Sequence, residues 1–102
     1  MFEMIVAMDI ASEDAYNGYR AAMTPILESF GGRFRFDFIV GQTLKSEAKH
    51  RINRLFALTF PDRTVRDAFF ADPSYKKVRA EFFETAVAGR TLIAEYDLPQ
   101  TL

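Results

Sequence analysis

The sequence predicts an α+β fold of order βαββαβ, a four-stranded antiparallel sheet with its helices on one face. Three observations predict it. Apolar side chains alternate with a period of two in four stretches, most plainly where Phe34, Phe36, Phe38 and Val40 alternate with Arg33, Arg35, Asp37 and Ile39. Apolar residues recur at helical spacing after the first and third of these stretches. Glycines, prolines and capping residues stand at the joints between them.

The first strand covers residues 2–10. Phe2, Met4, Val6, Met8 and Ile10 share one face, and Ile5 and Ala7 keep the other face apolar, with Glu3 and Asp9 near its ends. A run apolar on both faces suits a central strand. Ser12 then caps a helix whose first turn carries Glu13 and Asp14, charges that favour the positive end of the helix dipole. Tyr16, Tyr19, Met23, Ile26, Leu27 and Phe30 follow at helical spacing. Pro25 lacks a backbone donor, so a kink is expected near residues 21–23, and Gly31 ends the helix in a left-handed turn.

The second strand runs from Arg33 to about Val40 with its phenylalanines on one face, and the polar stretch 41–50 is a connection. The third runs from about Ile52 to Phe60, with Ile52, Phe56, Leu58 and Phe60 on one face and Leu55 and Ala57 on the other. The following helical stretch is broken at Asp72-Pro73, where Asp72 starts a new helix and Pro73 occupies its first position. Gly89 is the expected stop of that helix. Leu92, Ala94 and Tyr96 then alternate with Thr91, Ile93 and Glu95 as the fourth strand, and Pro99 ends the ordered part. With right-handed crossovers this order is the ferredoxin-like sandwich. One domain over residues 1–102 is expected.

That arrangement leaves one side of the sheet bare. About six half-buried side chains would remain there, worth several kcal/mol at roughly 25 cal/mol per Å² once covered. The simplest cover is a second copy of the chain, so a homodimer is expected. The aromatic fraction, 15%, is heavy for so short a chain, so part of it is expected at an interface or lining a pocket.

Composition also narrows the function. The net charge is −1 and the pI about 5.8, which argues against a nucleic-acid binder. The RNA-recognition module shares this topology, but the third strand lacks the glycines and the basic start of its signature. Without cysteine there is no disulfide, thiolate nucleophile or cysteine metal site, and a single histidine, His50, allows no multi-histidine metal cluster, so neither metal nor cofactor is expected. The apolar run at the start is interrupted by Glu3 and Asp9, which fits neither a signal peptide nor a membrane span; a cytoplasmic protein is expected.

Several pieces, in order and spacing, resemble a bacterial family of domains of unknown function in the dimeric α/β-barrel superfamily. They are Tyr16-x-x-Tyr19, Gly31-Gly32-x-Phe34, the stretch from Arg54 to Phe60-Pro61-Asp62, and Ala68-Phe69-Phe70-x-Asp72-Pro73-x-Tyr75. The resemblance spans nearly the whole chain. It implies a ferredoxin-like protomer and a homodimer whose two sheets form a barrel. Relatives in the superfamily include cofactor-free monooxygenases, isomerases and lyases, and proteins with no known activity. No catalytic residue carries over, and the glycine-rich turn expected after the second strand is replaced by Ile39-Val40-Gly41-Gln42-Thr43.

The first functional reading is a homodimeric protein binding a small molecule in a cleft between or beside the sheets. The alternatives are a cofactor-free enzyme, of monooxygenase or isomerase type, and a structural or regulatory dimerisation module. Candidate ligand-binding residues are Arg54, His50, Arg35, Asp37, Asn53 and Tyr19. If the phenylalanines face the helices, Arg33, Arg35, Asp37, Asn53, Thr59, Thr91 and Glu95 face the other way, as a ligand cleft or as ordinary surface pairs. A one-residue bulge would invert that assignment. Arg54 can hold an anion or pair with Asp37. His50 can act as a base or sit in an exposed loop. Tyr16, Tyr19 and Tyr75 can donate hydrogen bonds or simply fill the core.

Overall fold

In the computed structural model, residues 1–99 are described; the expected end of order after Pro99 falls outside them. Seven elements follow in order: β1 (Phe2–Ile10), α1 (Glu13–Ser29), β2 (Arg33–Ile39), β3 (Arg54–Phe60), α2 (Arg63–Ala71), α3 (Pro73–Ala86) and β4 (Val87–Asp97). The sheet order is β2-β3-β1-β4 and every neighbouring pair is antiparallel. This is the ferredoxin-like arrangement, with the two most apolar strands in the middle.

Local chemistry sets the boundaries. Ser12 Oγ accepts from the Ala15 amide at 3.3 Å, Asp62 Oδ1 from the Val65 amide at 2.8 Å, and Asp72 Oδ2 from the Tyr75 amide at 3.0 Å. Each satisfies a helix donor that would otherwise lack a partner. Gly31, at φ 76°, turns the chain out of α1, and its amide donates to the Glu28 carbonyl at 2.9 Å. α1 runs on through Pro25, so the proline does not divide the helix.

The core lies between the helices and one side of the sheet. Tyr16, Tyr19, Met23 and Leu27 of α1, Phe69 of α2, and Tyr75, Phe83 and Ala86 of α3 pack on Val6, Met8, Ile10, Phe56, Leu58 and Phe60. Phe69 packs against Tyr75 with ring centroids 4.4 Å apart. Phe2 closes one end beneath the guanidinium groups of Arg63 and Arg66, each 4.7 Å from its ring centre.

Three expectations need correction. First, the phenylalanines of β2 do not share a face. Phe34 is opposite Leu58 and Phe36 opposite Ala57, so Arg35 is an extra residue in the pairing. This β-bulge leaves Phe34 in the core and turns Phe36 and Phe38 to the bare side, while Asp37 moves to the helix side. Second, β4 bulges at Ile93, because Val6 is opposite Leu92 and Ile5 opposite Ala94. Thr91, Ala94 and Tyr96 therefore share the bare side, and Glu95 turns to the helices, where Arg66 donates to it at 2.8 Å. Third, Gly89 is not a helix stop. α3 ends at Ala86, the Val87 backbone is already extended, and Gly89 lies inside β4.

Candidate functional site

The bulges at Arg35 and Ile93 sort the polar residues into separate clusters. On the bare side, Glu3 of β1 is completely buried. Its carboxylate accepts two hydrogen bonds from Arg35, at 2.5 and 2.9 Å, one from Thr59 at 3.1 Å, and one from the Tyr96 hydroxyl. Arg35 reaches it because the bulge redirects its side chain across β3. The Arg35 bond holds the Glu3 carboxyl below its usual range against the effect of burial, with Tyr96 and Thr59 assisting. The same contact with Glu3 pushes the Tyr96 hydroxyl up.

At the other end of this side, about 20 Å along β1 at the usual rise of a strand, His50 closes the connection between β2 and β3. Its Nε2 lies 2.8 Å from Thr91 Oγ1 and its Nδ1 2.8 Å from the Arg51 carbonyl. The ring rests on Gly89, where a Cβ would come within 2.4 Å of it. That contact is the reason a glycine stands there. Arg51 donates to Asp9 at 3.0 Å, and Asn53 exchanges two hydrogen bonds with the backbone of Ile10, at 2.8 and 3.0 Å. Asn53 and His50 thus fasten the connection to the sheet.

Between these ends the bare side is apolar. Ala7 and Ala57 form its floor, and beside them Phe36 and Phe38 stack with centroids 6.0 Å apart, each about half exposed.

On the helix side, Arg54 Nε and Nη2 grip Asp37 at 3.0 and 3.2 Å, and Arg20 adds a third bond at 3.0 Å. Arg20 also lies 3.5 Å from the centre of the Phe34 ring and donates to the Tyr16 hydroxyl at 2.8 Å. Burial raises the Asp37 pKa, but the Arg54 and Arg20 contacts outweigh it and hold the carboxyl below the usual range. In this structure the Arg54 fork is engaged by Asp37.

The helix side also holds a cavity of about 40 Å³ between α1, α3 and the sheet. A water needs roughly 10–15 Å³ on this scale, so the space as it stands suits about three waters; a benzene-sized ring needs about 150 Å³ and enters only if the wall side chains move aside. Met4, Met8 and Met23 supply much of its wall, Tyr19 and Tyr75 its polar part, and Arg90 one margin. The two tyrosine hydroxyls lie 2.7 Å apart, both buried. Burial, with the neighbouring Tyr75, pushes the Tyr19 pKa far above its ordinary value, so Tyr19 stays a protonated donor. Neither His50 nor a carboxylate lines the cavity.

Of the six candidates, Tyr19 lines this cavity, Arg35 belongs to the Glu3 cluster, Arg54 and Asp37 to the helix-side cluster, and His50 and Asn53 to the loop anchor. They do not converge on one site. Glu3 and Arg90 were absent from the set. A carboxylate inside an otherwise apolar central strand is the signal that marks Glu3; Arg90 carries no such signal, since only the fold places it beside the cavity.

The profile of DUF1330, a domain of unknown function, matches residues 4–96. No curated protein matches the chain. Among solved structures, a protein of unknown function from Rhodopseudomonas palustris superposes with a TM-score of 0.77 at 18% identity, covering 97% of this chain and 82% of its own. A dabb-family protein with a ferredoxin-like fold from Mesorhizobium loti gives 0.65 at 12% identity, covering 96% of each chain. A dimeric protein of unknown function with a ferredoxin-like fold from Bacteroides fragilis gives 0.59 at 10% identity, covering 95% of each chain. At these identities the likeness is one of fold. Among the described residues no helix is long and apolar enough to cross a membrane.

Proposed function

The chain belongs to the DUF1330 family, and from that premise we propose that it is a homodimeric protein that binds a small molecule in the cavity beside its sheet. The observation that carries the binding site is the cavity itself, an apolar space with a buried pair of tyrosine hydroxyls on its wall. Small-molecule sites share this lining, mostly apolar with a few placed polar groups. Binding is favoured over catalysis because the cavity offers no base. Tyr19 holds its proton, and His50 contacts Gly89 on the opposite side of the sheet from Arg90.

The bare side supports the dimer. Phe36 and Phe38 stand half exposed beside an alanine floor, and Glu3, already neutralised and fully hydrogen-bonded, can be covered without leaving a charge unpaired. A stable interface needs about 800 Å² from each partner. That is about an eighth of the 6224 Å² this chain exposes. The dimeric Bacteroides fragilis protein is consistent with this arrangement.

The binding site is tested with toluene, a neutral probe that enters only where the flexible methionine wall gives way. Titration should shift the methyl resonances of Met4, Met8 and Met23 and raise the melting temperature. Met23→Trp, which fills the space, should abolish both responses. Unchanged methyl resonances at saturating toluene would refute the cavity as a ligand site.

A further inference from the structure

We propose that the natural ligand of this cavity is a small carboxylate with an apolar body, such as an aromatic or short-chain acid, its head held between the tyrosine pair and Arg90. The inference rests on the cavity being the binding site and adds the class of ligand. Three observations carry it.

The first is a spare proton. Tyr19 and Tyr75 share a single hydrogen bond, which uses one of their two phenolic protons. No second acceptor contacts either hydroxyl among the described residues, although both side chains are more than nine-tenths buried. Each phenol donates only one proton, so whichever hydroxyl accepts in the pair keeps one to give. A buried donor of this kind calls for an acceptor in the cavity, which a water or a ligand oxygen supplies.

The second is the charge around the space. Arg90 lines the cavity and has no carboxylate partner among the described residues, unlike Arg20, Arg35, Arg51, Arg54 and Arg66. Arg79 lies 4.4 Å from the centre of the Phe83 ring, another wall residue, and its charge is felt at Tyr19. No acidic side chain lines the cavity, so the local field is positive. A buried carboxylate needs both a cation and hydrogen-bond donors, and both are present here.

The third is the shape and softness of the wall. Three unbranched methionines face the remainder of the space, together with aromatic rings. Thioether side chains adapt to an apolar body and make favourable contacts with aromatic rings. A sugar or nucleotide would find too little room and too few polar partners.

The test compares benzoate with benzamide, which has the same ring and a neutral head, by titration followed on the methionine methyls. Benzoate should bind at least about tenfold more tightly, the size of one charge-assisted contact. Arg90→Met should erase that preference, costing benzoate at least about tenfold and benzamide less. Arg90→Lys should restore part of it, as a point charge without the fork. Tyr75→Phe should weaken both ligands. Arg90 is exposed, so its two variants fold; for them and for Tyr75→Phe, at a buried position, an unchanged melting temperature without ligand is the check. Equal binding of benzoate and benzamide overturns the inference while leaving the cavity intact as a site. A preference that survives Arg90→Met also overturns it. If toluene fails as well as both acids and amides, the cavity reading and this inference fall together.

Discussion

The two sides of the sheet are built from the same strands but are stabilised in different ways. The helix side is a closed aromatic core in which Phe69 and Leu27 are buried within one chain. The bare side buries Glu3 among four donors and leaves Phe36 and Phe38 half exposed. Alternation along a strand creates both sides at once. The difference lies in what covers them. Helices of the same chain complete one; on the proposal above, a second copy completes the other. Substitutions on the helix side should therefore act on folding, and those on the bare side on association.

The largest expected effect is in the core. Phe69→Ala should cost about 3–5 kcal/mol in chemical denaturation, since it removes a wholly buried ring that touches Phe30, Phe60, Phe70 and Tyr75. Phe36→Ala, the matching truncation on the bare side, should change the stability of an isolated chain by less than about 1 kcal/mol and act on the dimer instead. Equal effects on the isolated chain would erase the distinction between the two sides.

Gly89→Ala should come next. The added Cβ lies 2.4 Å from the His50 ring, so the ring must move and its bond to Thr91 must lengthen or break. A loss of about 1–3 kcal/mol is expected, with a displaced His50 resonance. An unmoved resonance would show that the loop is not seated as described.

The Glu3 cluster sharpens the comparison through pH. Its carboxyl titrates below the ordinary 4.5 in the folded state. The cluster therefore contributes fully above about pH 4.5, and that contribution fades as pH falls through the lower folded value. The raised Tyr96 hydroxyl gives the opposite limb: its contribution is complete below its ordinary 10.0 and fades as pH rises through the higher folded value. Glu3→Gln should remove the acid-side slope assigned to this group in urea denaturation measured between pH 2 and 6. An unchanged slope would mean that Glu3 is not held as the structure has it.

The smallest effect is expected from Asp37→Asn. Its bonds to Arg54 and Arg20 are partly open to solvent, and such pairs are worth about 0–1 kcal/mol. A loss well above that in denaturation would mean that the cluster supports the edge of the sheet more than its exposure suggests.

The order of elements was legible in the sequence because each rests on a local signal: period two in the strands, Ser12 and Asp72 as caps, Gly31 as the turn. Which way the outer strands point was not legible beyond the bulges. Phe34-x-Phe36-x-Phe38 alternates without interruption, and nothing in that pattern reveals that Arg35 is unpaired against β3. The same holds for Ile93 in β4. The candidate residues separated for this reason, since one inserted residue sends Arg35 to Glu3 and Asp37 to Arg54. The cavity was hidden differently. Met4, Met8, Met23, Tyr19 and Tyr75 each read as core in sequence, and the space between them arises only where three elements meet. Gly89 read as a helix stop because glycine commonly serves that purpose, whereas here it makes room for a side chain 39 positions earlier in the chain.

The most direct test is sedimentation equilibrium of the wild-type chain and Phe36→Asp at micromolar concentration. The wild type should sediment at twice 11.7 kDa. The variant should sediment at 11.7 kDa with its circular dichroism spectrum unchanged, because the new carboxylate would have to be buried without a partner in the dimer but is solvated in the single chain. A wild type that remains a single chain at these concentrations, or a variant that stays paired, would contradict the claim that a second copy covers the bare side.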